Sequence, residues 1–264
     1  MSDPAPVVFA PVVFVHGNPE TAAVWDRLLP ELERAGVPRP RLVCLSPPGF
    51  GAPLPAGFGA TVNDYRDWLI GELTRFAEPV HLVGHDWGGG HVLNAVMSRP
   101  DLVHSWVSDS IGIYEPDYTW HELAQRWQTP DAGEAEVTAR FGAPLGERVA
   151  TLAERGMHEA VAEQVARGQN EAMGRAVLAL YRSAAQPVMA ELGRDLERAS
   201  LRPGLTLLPT DDHAVGTAEQ RRRAARRAGA GVVTLDGLGH WWMTHAPARG
   251  ARALARFWAS LDHG

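Results

Sequence analysis

Pro79-Val80-His81-Leu82-Val83-Gly84-His85-Asp86-Trp87-Gly88-Gly89-Gly90 is an apolar run that breaks into glycines around one carboxylate. The first five residues read as a buried strand, and the glycines that follow allow a helix to start close behind it. A turn this sharp forces the residue at its tip into left-handed backbone and tolerates only tiny neighbours two positions away on either side. Gly84 and Gly88 meet that demand, so Asp86 is the side chain presented at the turn. A serine there would need a histidine to remove its proton before attacking acyl carbon. An aspartate is already ionised and attacks saturated carbon directly, leaving an alkyl ester on the protein.

Outward from this turn, β-rich runs alternate with longer helical stretches: Val12 to Val15, Leu42 to Leu45, Val80 to Val83, Ser105 to Ser108, Leu205 to Leu208 and Val232 to Leu235. The alternation predicts an α/β fold, a mostly parallel sheet flanked by helices. Pro6 to Ala10 offers an additional edge strand. Between Tyr114 and Pro203 strand signals stop, and alanine-rich, charge-laced helical stretches replace them, as in Glu147 to Glu154, Met157 to Ala166 and Glu171 to Ser183. The expected organisation is a core of residues 1–113 and 204–264, with residues 114–203 inserted as a helical cap, or lid, over the carboxyl ends of the strands.

Hydrolysis of an ester on Asp86 calls for a general base. Asp236-Gly237-Leu238-Gly239-His240-Trp241-Trp242 provides His240 directly after the last predicted strand. A third group should orient that histidine and stabilise its protonated form. Asp212, in Leu208-Pro209-Thr210-Asp211-Asp212, is the first choice; Asp211 beside it and Asp109 after Ser105-Trp106-Val107-Ser108 are alternatives. The first strand runs into His16-Gly17-Asn18-Pro19. The backbone N–H of Asn18 is expected opposite that of Trp87, and the pair would form an oxyanion hole.

Composition narrows the function classes. A chain of 264 residues with 45% apolar content suffices for one sizeable core. A formal charge of -6 argues against nucleic acid or an anionic membrane as the principal partner. No lysine occurs, and the arginine run Arg221-Arg222-Arg223 with Arg226 and Arg227 reads as a solvated helix face. Cys44, the single cysteine, falls in an apolar run and is expected to be a packed strand thiol. Met1-Ser2-Asp3-Pro4 has no basic segment leading into an apolar one, so a cytoplasmic protein is the expectation.

These segments together resemble the aspartate-nucleophile branch of the α/β-hydrolases, which contains epoxide hydrolases and haloalkane dehalogenases. Gly84-His85-Asp86-Trp87-Gly88-Gly89 is similar to the epoxide-hydrolase turn. His16-Gly17-Asn18-Pro19-Glu20 joins that family's HGxP element to the asparagine with which haloalkane dehalogenases hold halide. The resemblance implies an α/β-hydrolase fold, here with the opening hairpin short or missing. It also implies a two-step reaction without cofactor or metal, in which Asp86 forms an ester and water activated by His240 hydrolyses it. The implied partners are water and a small apolar substrate, either an epoxide or a haloalkane.

The leaving group separates the two families. Leu180-Tyr181-Arg182 resembles the element that carries a ring-opening tyrosine, which makes Tyr181 the expected acid for an epoxide. Tyr181 also lies on an apolar stripe with Val177, Leu178, Ala184 and Val188, as a packed tyrosine would. Where a second lid tyrosine is expected this chain has Leu123; Tyr114, Tyr118, Trp120 and His121 are nearby substitutes. Fluoride-removing relatives place histidine and tryptophan donors in this segment. Epoxide hydrolysis is the leading expectation and haloalkane dehalogenation, with Asn18 and the Trp87 indole as halide donors, the second. A non-catalytic member of the fold that captures an apolar ligand is a remote third.

Overall fold

The structure, a computed structural model, describes residues 10–261. Six parallel strands form one sheet: β1 (Val12–Val15), β2 (Leu42–Leu45), β3 (Val80–Gly84), β4 (Val103–Ser108), β5 (Gly204–Pro209) and β6 (Gly231–Leu235), in spatial order β2-β1-β3-β4-β5-β6. Each contains the run expected from sequence. Pro6 to Phe9, most of the candidate edge strand, lie outside the described residues.

The sheet is covered on both faces, as its continuous apolar strands require. Side chains alternate along β1, so Val13 and Val15 pack on one face with Tyr65 and Leu69 of α2 (Val62–Leu73) and Val92 and Leu93 of α3 (Trp87–Ser98). Val12 and Phe14 pack on the other face with Leu29 of α1 (Leu29–Arg34) and with Leu254 and Trp258 near the C-terminus. Cys44 is half-buried in β2, where burial pushes its thiol up to about 11.

Between β4 and β5 the chain is helical: α4 (Glu122–Gln128), α5 (Ala132–Gly142), α6 (Leu145–Glu154), α7 (Glu159–Gly168), α8 (Glu171–Ser183) and α9 (Val188–Leu192). The remaining helices are α10 (Ala218–Arg227), α11 (Trp242–His245) and α12 (Pro247–Leu261). Among the described residues no helix is long and apolar enough to cross a membrane.

The arginine run of α10 divides: Arg222 and Arg226 are exposed, as a solvated face requires, but Arg221, Arg223 and Arg227 are not. Arg221 is buried and donates to the carbonyls of Pro209 and Asp212, each at 3.0 Å. Arg223 and Arg227 pair with Glu115, a carboxylate buried just after β4. A buried acid needs a cation, and that long-range partner leaves no local trace in sequence.

The strand order reverses between β1 and β3, since β2 lies to one side of β1 and every later strand to the other. A crevice opens at such a reversal, outside the carboxyl ends of the two strands. The His16-Gly17-Asn18 and His85-Asp86 segments leave the sheet at that point.

Candidate active site

Asp86 caps α3 with φ 51° and ψ -127°, the left-handed backbone expected of the turn. Its neighbours leave no space for side chains: a Cβ on Gly84 would meet the Gly88 carbonyl oxygen at 2.5 Å, and one on Gly88 the Val15 carbonyl oxygen at 2.0 Å. Two hydrogen bonds anchor the strained residue from below. The Asp86 N–H donates to Asp109 Oδ1 at 3.0 Å, and Ser110 Oγ donates to the Asp86 carbonyl at 2.7 Å.

The Asp86 carboxylate meets both N–H groups expected to face it. Asn18 donates to Oδ1 at 3.1 Å, and the Trp87 backbone N–H acts on the carboxylate to favour its charged form. On the other side, Oδ2 stands 3.6 Å from His240 Nε2. His240 Nδ1 is 3.0 Å from Asp212 Oδ2, and the second Asp212 oxygen accepts the Ala214 N–H at 2.9 Å.

Asp212 is thus the carboxylate in contact with His240. Asp109 is turned away; its oxygens hold the Asp86 N–H, His85 Nδ1 at 2.6 Å and Trp242 Nε1 at 2.8 Å. Asp211 is an exposed turn residue whose Oδ1 accepts the Thr210 hydroxyl.

Burial pushes the Asp86 carboxyl up to about 6, against the opposing fields of His240 and His85 and with that of Glu20. Burial works in the same direction on Asp212, but the His240 ring and the Ala214 N–H outweigh it and hold that carboxyl well below its usual range. His240 is raised above 6.5, because Asp212, helped by Asp86, overcomes burial.

Beneath lies a buried chain of polar groups that sequence reading assigned no role. His85 bridges Asp109 and Glu20, with Nε2 3.2 Å from Glu20 Oε1. Burial lowers the affinity of His85 for a proton, yet the two carboxylates raise it well above the ordinary value. Burial alone would raise Glu20; His85 brings it down to about 2. Trp241 Nε1 also donates to Glu20. Glu20, His85 and His240 bring potential metal-ligating atoms within 4.8 Å of one another, but these hydrogen bonds already occupy the first two. The signal for Glu20 was present directly after Asn18-Pro19, where a carboxylate enters the turn that follows the first strand.

A cavity of about 230 Å³ opens over Asp86 and His240. Asn18, Asp212, His121, Trp127, Arg155 and Tyr181 are also in its wall. This lining is rich in polar and charged side chains, while Val137, Phe141, Met173, Val177 and Leu180 of α5 and α8 are buried in the core. Tyr181 is 3% exposed; burial and then the Asp86 field push its hydroxyl well above 10, with the Trp87 side chain acting in the opposite direction. The Trp87 ring meets that of Tyr181 edge-on, with centroids 5.5 Å apart. Unpartnered donors do exist: the Asn18 amide and the Trp127 indole are buried without hydrogen bonds.

The candidate substitutes for a second tyrosine divide. Tyr114 donates to Asn94 Oδ1 and the Gly90 carbonyl within the core, and Trp120 donates to the Ala184 carbonyl. Tyr118 donates to the Ala214 carbonyl at 2.8 Å. His121 caps α4 through Nδ1, lines the cavity, and is lowered by burial to about 4.

A parallel sheet with an Asp-His-Asp arrangement at its strand reversal defines the class, and sequence comparison agrees. Residues 12–253 match the alpha/beta hydrolase family, and the chain belongs to that family. An epoxide hydrolase of Caballeronia sordidicola is 36% identical over 94 residues, 34% of this chain and 27% of that protein. The AB hydrolase superfamily protein YfhM of Bacillus subtilis strain 168 is 26% identical over 139 residues, 48% of each chain. The chain therefore spans about half the length, or less, of these curated relatives. In fold it is similar to haloalkane dehalogenase DbeA from Bradyrhizobium elkani USDA94, with a TM-score of 0.74 at 18% identity over 97% of this chain and 92% of that one. A thermophilic esterase from Thermogutta terrifontis gives 0.69 at 19% identity, over 96% and 91%.

Proposed function

We propose that this hydrolase acts through an alkyl ester on Asp86 and opens an epoxide to a diol, with the helices of residues 114–203 as its lid. The observation that carries the reading is Asp86 itself, an ionisable oxygen at a nucleophile position, held by the Asn18 N–H and facing His240 paired with Asp212.

In the first step an Asp86 oxygen attacks an epoxide carbon. The C–O ring bond breaks and the departing oxygen takes the Tyr181 proton. In the second, water loses a proton to His240 Nε2 and its oxygen adds to the ester carbonyl. The Asn18 and Trp87 N–H groups face the oxyanion. Collapse releases the alkoxide, which takes the proton from His240, and the proton left on Asp86 returns to the Tyr181 phenolate.

Ester formation also prepares the base. It removes the Asp86 charge, one of the fields that raise His240, so the imidazole loses its proton more readily when it must accept one from water. Tyr181 favours epoxide chemistry, since an alkoxide needs a proton and this hydroxyl shares the cavity with Asp86. A second reading, haloalkane dehalogenation, is supported by the unpartnered donors of Asn18 and Trp127. A single turnover in ¹⁸O-water tests the ester: the label should enter the Asp86 side chain and be absent from the first diol. Label in that diol would mean direct attack by water.

A further inference from the structure

One cation in the cavity wall has no part in these steps. Arg155 follows α6, and Gly156, at φ 98°, ends the helix behind it. The turn is tied to α11 on its far side, through His245 Nε2 to the Gly156 carbonyl at 2.8 Å and the His158 N–H to Thr244 Oγ1 at 3.3 Å. The backbone that carries Arg155 is therefore fixed over the site.

Arg155 lines the same cavity as Asp86, Tyr181 and His240. Among the described residues it has no ion pair with a carboxylate, and it is the one arginine of that wall. The acids around it are engaged elsewhere: Asp212 with His240 and the Ala214 N–H, Asp211 with Thr210. As a residue Arg155 is exposed, so it sits at the rim; its charged end is nevertheless crowded enough that burial, and then Arg140, make its charge harder to hold, while Tyr181, Asp86 and Glu20 oppose them. A guanidinium stays charged under these conditions and offers a planar fork that matches a carboxylate.

We propose that Arg155 receives a carboxylate carried by the substrate, so that Asp86 acts on a short epoxy- or halo-carboxylate rather than a neutral alkyl compound. The substrate class rests on Asp86 as nucleophile; carboxylate capture by Arg155 does not. A cavity of about 230 Å³ suits a molecule of this size, being smaller than the volumes usual for drug-sized ligands. The fixed turn makes Arg155 an anchor at one end of the substrate while the reactive carbon lies toward Asp86.

Trp127 and Trp241 line the cavity, so indole fluorescence reports occupancy without turnover. Propionate and its neutral isostere propionamide are titrated into wild type, Arg155→Gln and Arg155→Lys. Propionate should bind wild type more tightly than propionamide, weaken about tenfold in Arg155→Gln and recover in part in Arg155→Lys. Propionamide should bind all three alike, and equal melting temperatures would show the variants folded. No binding of propionate to wild type, or equal binding to Arg155→Gln, would overturn the assignment. Neither result depends on an Asp86 ester, so a failure here is distinguishable from a failure of the covalent mechanism.

Discussion

Asp86 Oδ2 and His240 Nε2 face each other across 3.6 Å while the other His240 nitrogen is held 3.0 Å from Asp212. The gap is too long for a good hydrogen bond, which leaves the Asp86 oxygen free to attack. The same facing makes the charge of each group depend on the other, and three expectations about acidity, stability and leaving group follow from the surrounding residues.

Asp86 ionises near pH 6, so the rate of ester formation should fall about tenfold per pH unit below that value. The same shift affects stability. The folded value lies above the unfolded 3.8, so stability declines as pH rises from about 3.8 to about 6 and the full cost persists above that. Asp86→Asn should therefore be inactive yet melt a few degrees higher than wild type at pH 8, with the gain vanishing near pH 4. Calorimetry at the two pH values checks this, and a lower melting temperature at pH 8 would contradict it.

Asp212 and His240 shift in opposite directions, Asp212 below its ordinary value and His240 above. The Asp212 contribution to stability is present above about pH 3.8 and is lost as pH falls through its folded value. The His240 contribution is present below about pH 6.5 and is lost as pH rises through its folded value. Asp212→Asn should cost about 3 kcal/mol between those limits, lower the His240 pKa, and slow ester hydrolysis about a hundredfold or more. NMR titration of the His240 ring with single-turnover kinetics would test all three.

Tyr181→Phe separates the two leaving groups. Loss of the hydroxyl should slow opening of an epoxide about a hundredfold and leave halide release from a bromoalkane within about threefold of wild type. Equal losses on both substrates would point to a packing role for Tyr181, in keeping with its apolar helical stripe.

Most of this arrangement was legible in the chain because each part announces itself locally. Glycine on both sides of Asp86 marks the turn, apolar runs mark the strands, and His240 follows the last of them. Position after β5 brought Asp212 forward, but only the structure separates it from Asp109, whose oxygens are claimed by His85, Trp242 and the Asp86 N–H. What sequence could not provide is long-range pairing. Arg221 looked like one of a solvated arginine run, and Glu20 like part of a turn. Arg155 had no local pattern at all, since its place over Asp86 depends on how the turn after α6 is tied to α11.

The ester on Asp86 is the central claim, and trapping it is its most direct test. His240→Gln, which lacks the base for the second step, would be exposed separately to 1,2-epoxyhexane, oxirane-2-carboxylate, 1-bromobutane and bromoacetate, and its intact mass recorded. The account predicts addition of a whole epoxide, greater for the carboxylate, with peptide mapping placing it on Asp86; addition of only the alkyl group from a bromide would support dehalogenation through the same residue. No adduct from any of the four, or an adduct anywhere but Asp86, would contradict the covalent mechanism.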